Sequence, residues 1–356
     1  MSRVPSHAAV DAAVNWARLN ASSRSGGLVN AVLRRVSELV DTDAEIRERA
    51  SDRRDELPLS EGGAVALREE ILPDDAIHRL SVTTSHPRAL LDQWRRDFSL
   101  ERAVAIAQHG LCRSPVILNT SCATAPLPEE AVAHTLTGHH VYTGDAEQLT
   151  AELESRRDVW VQDPASSLAV ESVVDLAPEL VIDACAGRGT KTRQLERTFP
   201  GARIIATDID AGRHAELTRA FYGSDRVRVI RHEELIDHAG RADLVLLDVP
   251  CSNTGVLARR IEARYRASEN RTKELTDMQR QILADAIPLL RDDRSPIGGI
   301  LYSTCSLDAR ENEEIARWAS HWHAFRTTRE HRRAPEGVPG SPPVRYSDGS
   351  YAVLLA

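Results

Sequence analysis

Three stretches of this 356-residue sequence carry residues able to do chemistry, and each contains a cysteine. Asp248-Val249-Pro250-Cys251-Ser252-Asn253-Thr254-Gly255 closes one short apolar run, and Tyr302-Ser303-Thr304-Cys305-Ser306 closes another. A buried cysteine is ordinarily a small hydrophobe, but two at matching positions, beside an acid and several hydroxyls, point to thiol chemistry. A thiol attacks as its thiolate and so needs positive charge nearby, which Lys191, Arg259 or a sulfonium cofactor would supply. The residues alone leave open which cysteine is the nucleophile.

The third stretch is Asp183-Ala184-Cys185-Ala186-Gly187-Arg188-Gly189-Thr190-Lys191-Thr192. Its glycines permit a tight turn and close ligand approach, and the helix expected beyond it offers amide donors. Asp208 lies 19 residues past Gly189, near the offset of about 20 at which an acid meets a ribose hydroxyl in dinucleotide folds. The third glycine of the G-x-G-x-x-G pattern is missing, which counts against a nicotinamide cofactor. An adenosine ligand without a pyrophosphate fits better, and S-adenosylmethionine is the commonest of these. Only Lys191 and Lys273 are lysines and the other 43 basic residues are arginine, so a lysine in this loop is informative.

Such groups need a scaffold that gathers them. The apolar runs Leu180–Ala184, Arg203–Ile209, Val227–Ile230, Asp243–Val249 and Gly299–Ser303 are short and bounded by turn residues. Between them lie helix-length stretches, Lys191–Arg197, Ala211–Phe221 and Met278–Leu290. Strands alternating with helices predict a parallel, doubly wound α/β sheet, whose ligands bind beyond the carboxyl ends of the strands. Upstream, Val10, Val14 and Ala17, then Leu28, Val32, Leu33 and Val36, predict two helices over His7–Val40. The acid-rich segment from Asp41 to about Asp75 reads as a linker or exposed excursion. A helical stretch over Ala89–Gln108 and a strand over Val116–Leu118 follow, giving an α-rich N-terminal region.

Composition narrows the class. Hydrophobic residues make up 42% and charged residues 28%, an ordinary globular balance. No stretch approaches the roughly 18 to 20 apolar residues of a membrane helix, and Met1–Val14 lacks a secretory pattern. Five cysteines with no CxxC pair argue against a disulfide framework or structural zinc and suit a reducing cytoplasm. The histidines His139-His140 and His321-x-His323 have no matching ligand set, so no metal is expected. A net charge of −8 is unlike a general nucleic-acid binder, yet residues 1–36, 256–273 and 317–333 each carry a net +4.

The blocks together resemble the motifs of the RNA (cytosine-C5) methyltransferases of the RsmB/NOL1/NOP2/Sun type. That family shows D-x-C-A-A-P-G-G-K-T, D-A-P-C-S-G-T-G, and T-C-S followed by E-N-E. Here stand D-A-C-A-G-R-G-T-K-T, D-V-P-C-S-N-T-G, and T-C-S with Glu311-Asn312-Glu313 close behind. Val161-Gln162-Asp163-Pro164-Ala165-Ser166 and Asp348-Gly349-Ser350-Tyr351-Ala352-Val353 are similar to the blocks that open and close its catalytic domain. His7-Ala8-Ala9-Val10 and Gly27–Arg35 look like the end of the NusB-like domain of the Sun-type rRNA enzymes. Three departures stand out: Gly187-Arg188-Gly189-Thr190 in place of A-P-G-G, a truncated NusB-like module, and Ile117 where an Arg often precedes the Asn at 119.

The resemblance implies a Rossmann-like S-adenosylmethionine-dependent methyltransferase acting on C5 of a cytosine in RNA, in small-subunit rRNA. It implies a truncated NusB-like segment over 1–60, a linker and RNA-binding subdomain over 61–160, and a catalytic domain over 161–356. Cys305 would be the nucleophile and Cys251 the helper in product release. Asp248 would hold the base edge, and Lys191 would sit near the cofactor carboxylate or the thiolate. Cys185, Ala186, Gly187, Arg188, Gly189, Thr190, Lys191, Asp208, Glu233 and Asp248 would surround the cofactor. The partners expected are RNA alone, with no membrane, for a cytoplasmic monomer. The rival readings are a non-catalytic RNA-binding factor derived from such an enzyme and a nicotinamide oxidoreductase on the same fold class.

Overall fold

The five apolar runs form strands, and the central ones bury both of their faces. The computed structural model describes residues 5–40, 46–48, 50–291 and 298–356, and these fall into two compact units, 1–88 and 89–356. The first unit holds α1 (Ser6–Asn20), α2 (Ser23–Leu39), a hairpin of β1 (Glu56–Pro58) and β2 (Ala64–Ala66), and α3 (Ala76–Thr84). Ser22 separates the two helices by accepting from the Ser25 amide at 3.1 Å, an N-cap that satisfies an otherwise free donor. The segment expected to be a linker or excursion is partly structured. Gly62 and Gly63, both at positive φ, turn the hairpin, and Ala64, Leu67 and Leu72 are buried. The acidic composition hid this because Arg47, Arg53 and Arg54 pair with the acids. Residues 41–45 of that expectation lie outside the described residues.

In the second unit, α4 (Arg88–Asp97) and α5 (Leu100–His109) occupy the expected helical stretch, broken where Ser99 caps α5. The strand expected at Val116–Leu118 is β3 (Val116–Asn119), the centre of a small antiparallel sheet. Its partners are β4 (Ala131–Ala133), β5 (His139–Tyr142) and β6 (Trp160–Val161), in the order β4-β5-β3-β6. Helix α6 (Ala146–Ser155) connects β5 to β6.

From residue 164 the chain alternates α7 (Pro164–Glu171), β7 (Leu180–Asp183), α8 (Thr190–Thr198), β8 (Arg203–Ala206), α9 (Ala211–Ala220) and β9 (Val227–Val229). Then come β10 (Leu244–Asp248), α10 (Glu269–Ala286), β11 (Gly299–Thr304), α11 (Glu313–His323), β12 (Thr327–Arg333) and β13 (Ser350–Leu355). The seven strands lie in the order β12-β13-β11-β10-β7-β8-β9. β7 to β11 are parallel, and the closing hairpin β12-β13 joins antiparallel to β11.

Alternation along the strands explains the two-sided core. Val181, Ile204, Leu244, Leu246 and Leu301 face Val170, Leu195 and Leu217 of α7, α8 and α9. Ile182, Val245, Leu247, Ile300 and Tyr302 face Leu283, Ile315 and Ala319 of α10 and α11. The chain runs from β7 outward to β8 and β9 and then returns to the other side of β7 as β10. The cleft beyond the ends of β7 and β10 is therefore the switch point where such sheets bind ligands.

Candidate active site

Register delivers the reactive groups to that cleft. Asp248 is paired with Ser303 across β10 and β11, so the two chains leave the sheet side by side. The Ser303 hydroxyl donates to Asp248 Oδ1 at 2.9 Å. Cys251 and Cys305 then emerge together, with their sulfurs 3.3 Å apart. The Asn253 side chain lies between them: Oδ1 accepts from the Cys305 thiol at 3.2 Å, and Nδ2 donates to the Cys251 carbonyl at 2.9 Å. With the Cys305 proton directed at Asn253, the Cys251 proton is the one shared with the Cys305 sulfur. That bond, burial and the neighbouring Glu311 charge hold the Cys251 thiol well above the ordinary thiol range.

Lys191 reaches the same point from the first turn of α8. Its ammonium donates to Asp248 Oδ2 at 2.7 Å and approaches the Ser166 hydroxyl at 3.4 Å. Burial pushes this ammonium toward losing its proton, but Asp248, and then Cys305, outweigh that and keep it charged. A fixed cation is thus supplied beside the Cys305 sulfur. Arg259, the other side chain expected to supply it, is committed elsewhere. It bridges Asp348 at 2.6 Å and Asp163 at 3.2 Å, and lies over the Tyr346 ring.

Glu311 fixes the distance between the two cysteine loops, a function the sequence motif gave no reason for. It is fully buried, and its Oε2 accepts from the Ser252 amide at 2.9 Å and from Gln279 of α10 at 3.0 Å. Its Oε1 accepts from the Ser306 hydroxyl at 2.7 Å. Asn312 adds a second tie, accepting from Thr304 and donating to the Ser306 carbonyl. The Gly255 amide donates to the Cys305 carbonyl at 2.8 Å, and a Cβ at Gly255 would collide with that carbonyl and with Gly349. The glycine is a close-approach residue.

The glycine loop lies on the other side of Lys191. Gly187 and Gly189 have φ of +58° and +90°, which glycine adopts without strain. The Gly187 amide donates to Asp208 Oδ2 at 2.9 Å, so the acid after β8 does meet the loop after β7. A Cβ at Gly187 would meet nothing within 4 Å, whereas one at Gly189 would strike Phe221 and Leu217. One glycine leaves the loop open to a ligand; the other lets the helix pack. Ala186 is buried and Cys185 half-buried, its thiol pushed up by burial and by Asp183. Thr190 is exposed.

Two predicted cofactor residues stand apart. Arg188 projects outward to Glu216 of α9 at 2.7 Å. Glu233 is exposed on the turn after β9. The residue that reaches Asp208 is Arg213, 3.3 Å from its Oδ1, and Ile209 beside it is 78% exposed. Neither was foreseen. Arg213 lies five residues beyond Asp208 on α9 with no pattern to mark it, whereas an apolar residue directly after the acid that follows a strand was a usable signal.

The profile of the 16S rRNA methyltransferase RsmB/F family matches residues 174–335, which contain the glycine loop, both cysteines and Glu311. The NusB family profile matches residues 1–38. Residues 174–335 are thus an RsmB/F-type methyltransferase segment. It is 26% identical over 344 residues to the probable ribosomal RNA small subunit methyltransferase B of Bacillus subtilis, covering 91% of this chain and 68% of that one. It is 30% identical over 332 residues to ribosomal RNA small subunit methyltransferase B of Xanthomonas campestris, covering 87% and 66%. The chain therefore spans about two thirds of the length of these two relatives.

Among solved structures, a methyltransferase homologue from Pyrococcus horikoshii superposes with a TM-score of 0.61 at 18% identity, covering 80% of this chain and 99% of that one. NSun6 from the same organism gives 0.55 at 15% identity, covering 76% and 97%. These likenesses support the Rossmann-like methyltransferase fold. With these relatives and that segment, the protein is an RNA methyltransferase that uses S-adenosylmethionine. The residues present suit that cofactor: a loop backbone left open at Gly187, and a nearly buried acid, Asp208, tied to it. Among the described residues no helix is long and apolar enough to cross a membrane.

Proposed function

We propose that the protein methylates C5 of a cytosine in small-subunit rRNA through a covalent bond from Cys305 to C6 of the base. The observation that carries this reading is the pair of thiols 3.3 Å apart at the ends of β10 and β11, with a charged lysine bound to Asp248 at the end of the same strand β10. Cytosine C5 is a poor nucleophile. Once Cys305 has lost its proton to solvent, the sulfur adds to C6 and the C5–C6 π pair moves toward C5 and the ring. Lys191 holds charge beside the sulfur in this step. Asp248 already engages both oxygens, and each retains a lone pair for a donor on the base edge.

When bound, S-adenosylmethionine supplies the electrophilic methyl group that C5 attacks. The backbone of Cys185–Gly189 and Asp208 would hold it, and the exposed Ile209 offers an apolar surface of the kind a purine ring covers. Release requires loss of the C5 proton and departure of the sulfur. Cys251 is protonated and in contact with Cys305, so it gives its proton to the departing sulfur and takes up the one lost from C5. The target base must leave its stack to reach these residues.

The test is incubation of the full chain with 16S rRNA and labelled S-adenosylmethionine, followed by nucleoside analysis. Label in 5-methylcytidine supports the reading, whereas label in another nucleoside overturns it.

A further inference from the structure

Asn253 occupies the position where the family pattern D-A-P-C-S-G-T-G has the first of its two glycines, the G after C-S. Its φ is +61°, the left-handed region in which glycine is free and asparagine is among the better-tolerated alternatives. The backbone therefore accepts the change, and the change adds a side chain between the two thiols. The orientation of its amide is fixed by chemistry. The Cys251 carbonyl carries no proton, so the NH2 must face it at 2.9 Å, and the oxygen is left toward Cys305 at 3.2 Å.

That orientation has a consequence for the nucleophile. A carbonyl oxygen accepts a bond from S–H and offers a thiolate only its own lone pairs. Lys191 acts in the opposite sense, since its ammonium favours the anion. We propose that Asn253 is a positioning residue for the nucleophile: its amide oxygen takes the bond from the Cys305 S–H in the free enzyme and so restrains the reactivity of that sulfur. The inference rests on the reading of Cys305 as the nucleophile.

The test is site-resolved alkylation of Cys305 by iodoacetamide at pH 7.5, using the full chain without RNA or cofactor and with mass-spectrometric readout. Asn253→Gly restores the family residue and suits the left-handed backbone. Asn253→Asp preserves size and backbone tolerance but places negative charge against the sulfur. Loss of one hydrogen bond to the thiol form should raise the Cys305 rate in Asn253→Gly about three- to tenfold. Asn253→Asp should slow it by a similar factor. An unchanged rate in Asn253→Gly overturns the inference. So does an Asn253→Asp rate equal to or above the parent's, which would assign any gain in the glycine variant to easier access. Alkylation of the free enzyme reads this contact whether or not Cys305 attacks RNA; the RNA adduct of the Cys305→Ala variant tests that reading separately.

Discussion

Glu311 offers the most quantitative test of how the cysteines are held. Its carboxylate takes three donors, the Ser252 amide, the Gln279 amide and the Ser306 hydroxyl, with no exposure to water. Glu311→Gln can place its single oxygen on only one side. The favourable choice keeps it toward Ser252 and Gln279, since both are N–H donors, and turns the NH2 to the Ser306 hydroxyl, which can accept. The loss is then mainly that of charge assistance in two bonds, about 2 kcal/mol. Glu311→Ala instead strands three donors at about 1 to 3 kcal/mol each, and should cost at least twice as much. At roughly 2 to 4 °C per kcal/mol for a domain of this size, thermal unfolding should fall by about 4 to 8 °C in Glu311→Gln and by more than twice that in Glu311→Ala. Methyl transfer should fall in the same order, because the cysteine loops lose their common anchor. If Glu311→Ala unfolds within about 1 kcal/mol of the parent, the proposed anchor does not hold the loops.

Other perturbations separate the remaining parts. Asp208→Ala should weaken S-adenosylmethionine binding by about 1 to 3 kcal/mol, measured by calorimetry, because the Gly187 amide loses its acceptor; unchanged affinity would remove Asp208 from the site. Arg259→Met leaves Asp163 and Asp348 facing each other with little exposure, and should destabilise the protein by about 3 to 5 kcal/mol in denaturant titration. Arg260, exposed in the same basic island, should act differently: Arg260→Met should leave stability alone and reduce the slope of log RNA affinity against log salt by roughly 0.7, and an unmoved slope would place it outside the RNA contact. Burial, with Asp248 adding to it, raises the Asp183 carboxyl to about 7, so the folded state holds a proton that the unfolded chain loses near 4. Stability should therefore decline as pH rises from about 4 to about 7, by an amount on the order of 4 kcal/mol. Asp183→Asn should flatten that decline, and an equal pH dependence in both proteins would contradict the assignment.

The sheet was legible because its chemistry-bearing loops sit directly after apolar runs bounded by turns. Leu180–Asp183, Leu244–Asp248 and Gly299–Thr304 lie within a residue or two of their expected bounds. The spacing drew attention to Asp208, and its bond to the Gly187 amide is what the structure adds. What the sequence concealed were long-range ion pairs. Arg259 was one candidate for the charge beside the thiolate, but its partners Asp163 and Asp348 are 96 and 89 residues away in sequence. Arg188 was assigned to the cofactor by its place in the loop, yet its side chain turns to Glu216. The hairpin Glu56–Ala66 was obscured because local charge pairing neutralises an acidic composition. Asn253 was visible as a letter in a motif, and only its left-handed backbone and the two thiols around it gave that letter a role.

The central claim is that Cys305 bonds to the base and Cys251 frees it. Each cysteine is replaced in turn by alanine, and the full chain is incubated with RNA and S-adenosylmethionine, then run on a denaturing gel. Cys251→Ala should accumulate a slow-migrating RNA–protein adduct, because the thiol that protonates the departing sulfur is gone. Cys305→Ala should show neither adduct nor methyl transfer. An adduct lost in the Cys251 variant and trapped in the Cys305 variant would exchange the two roles, and full activity in both variants would contradict the covalent mechanism.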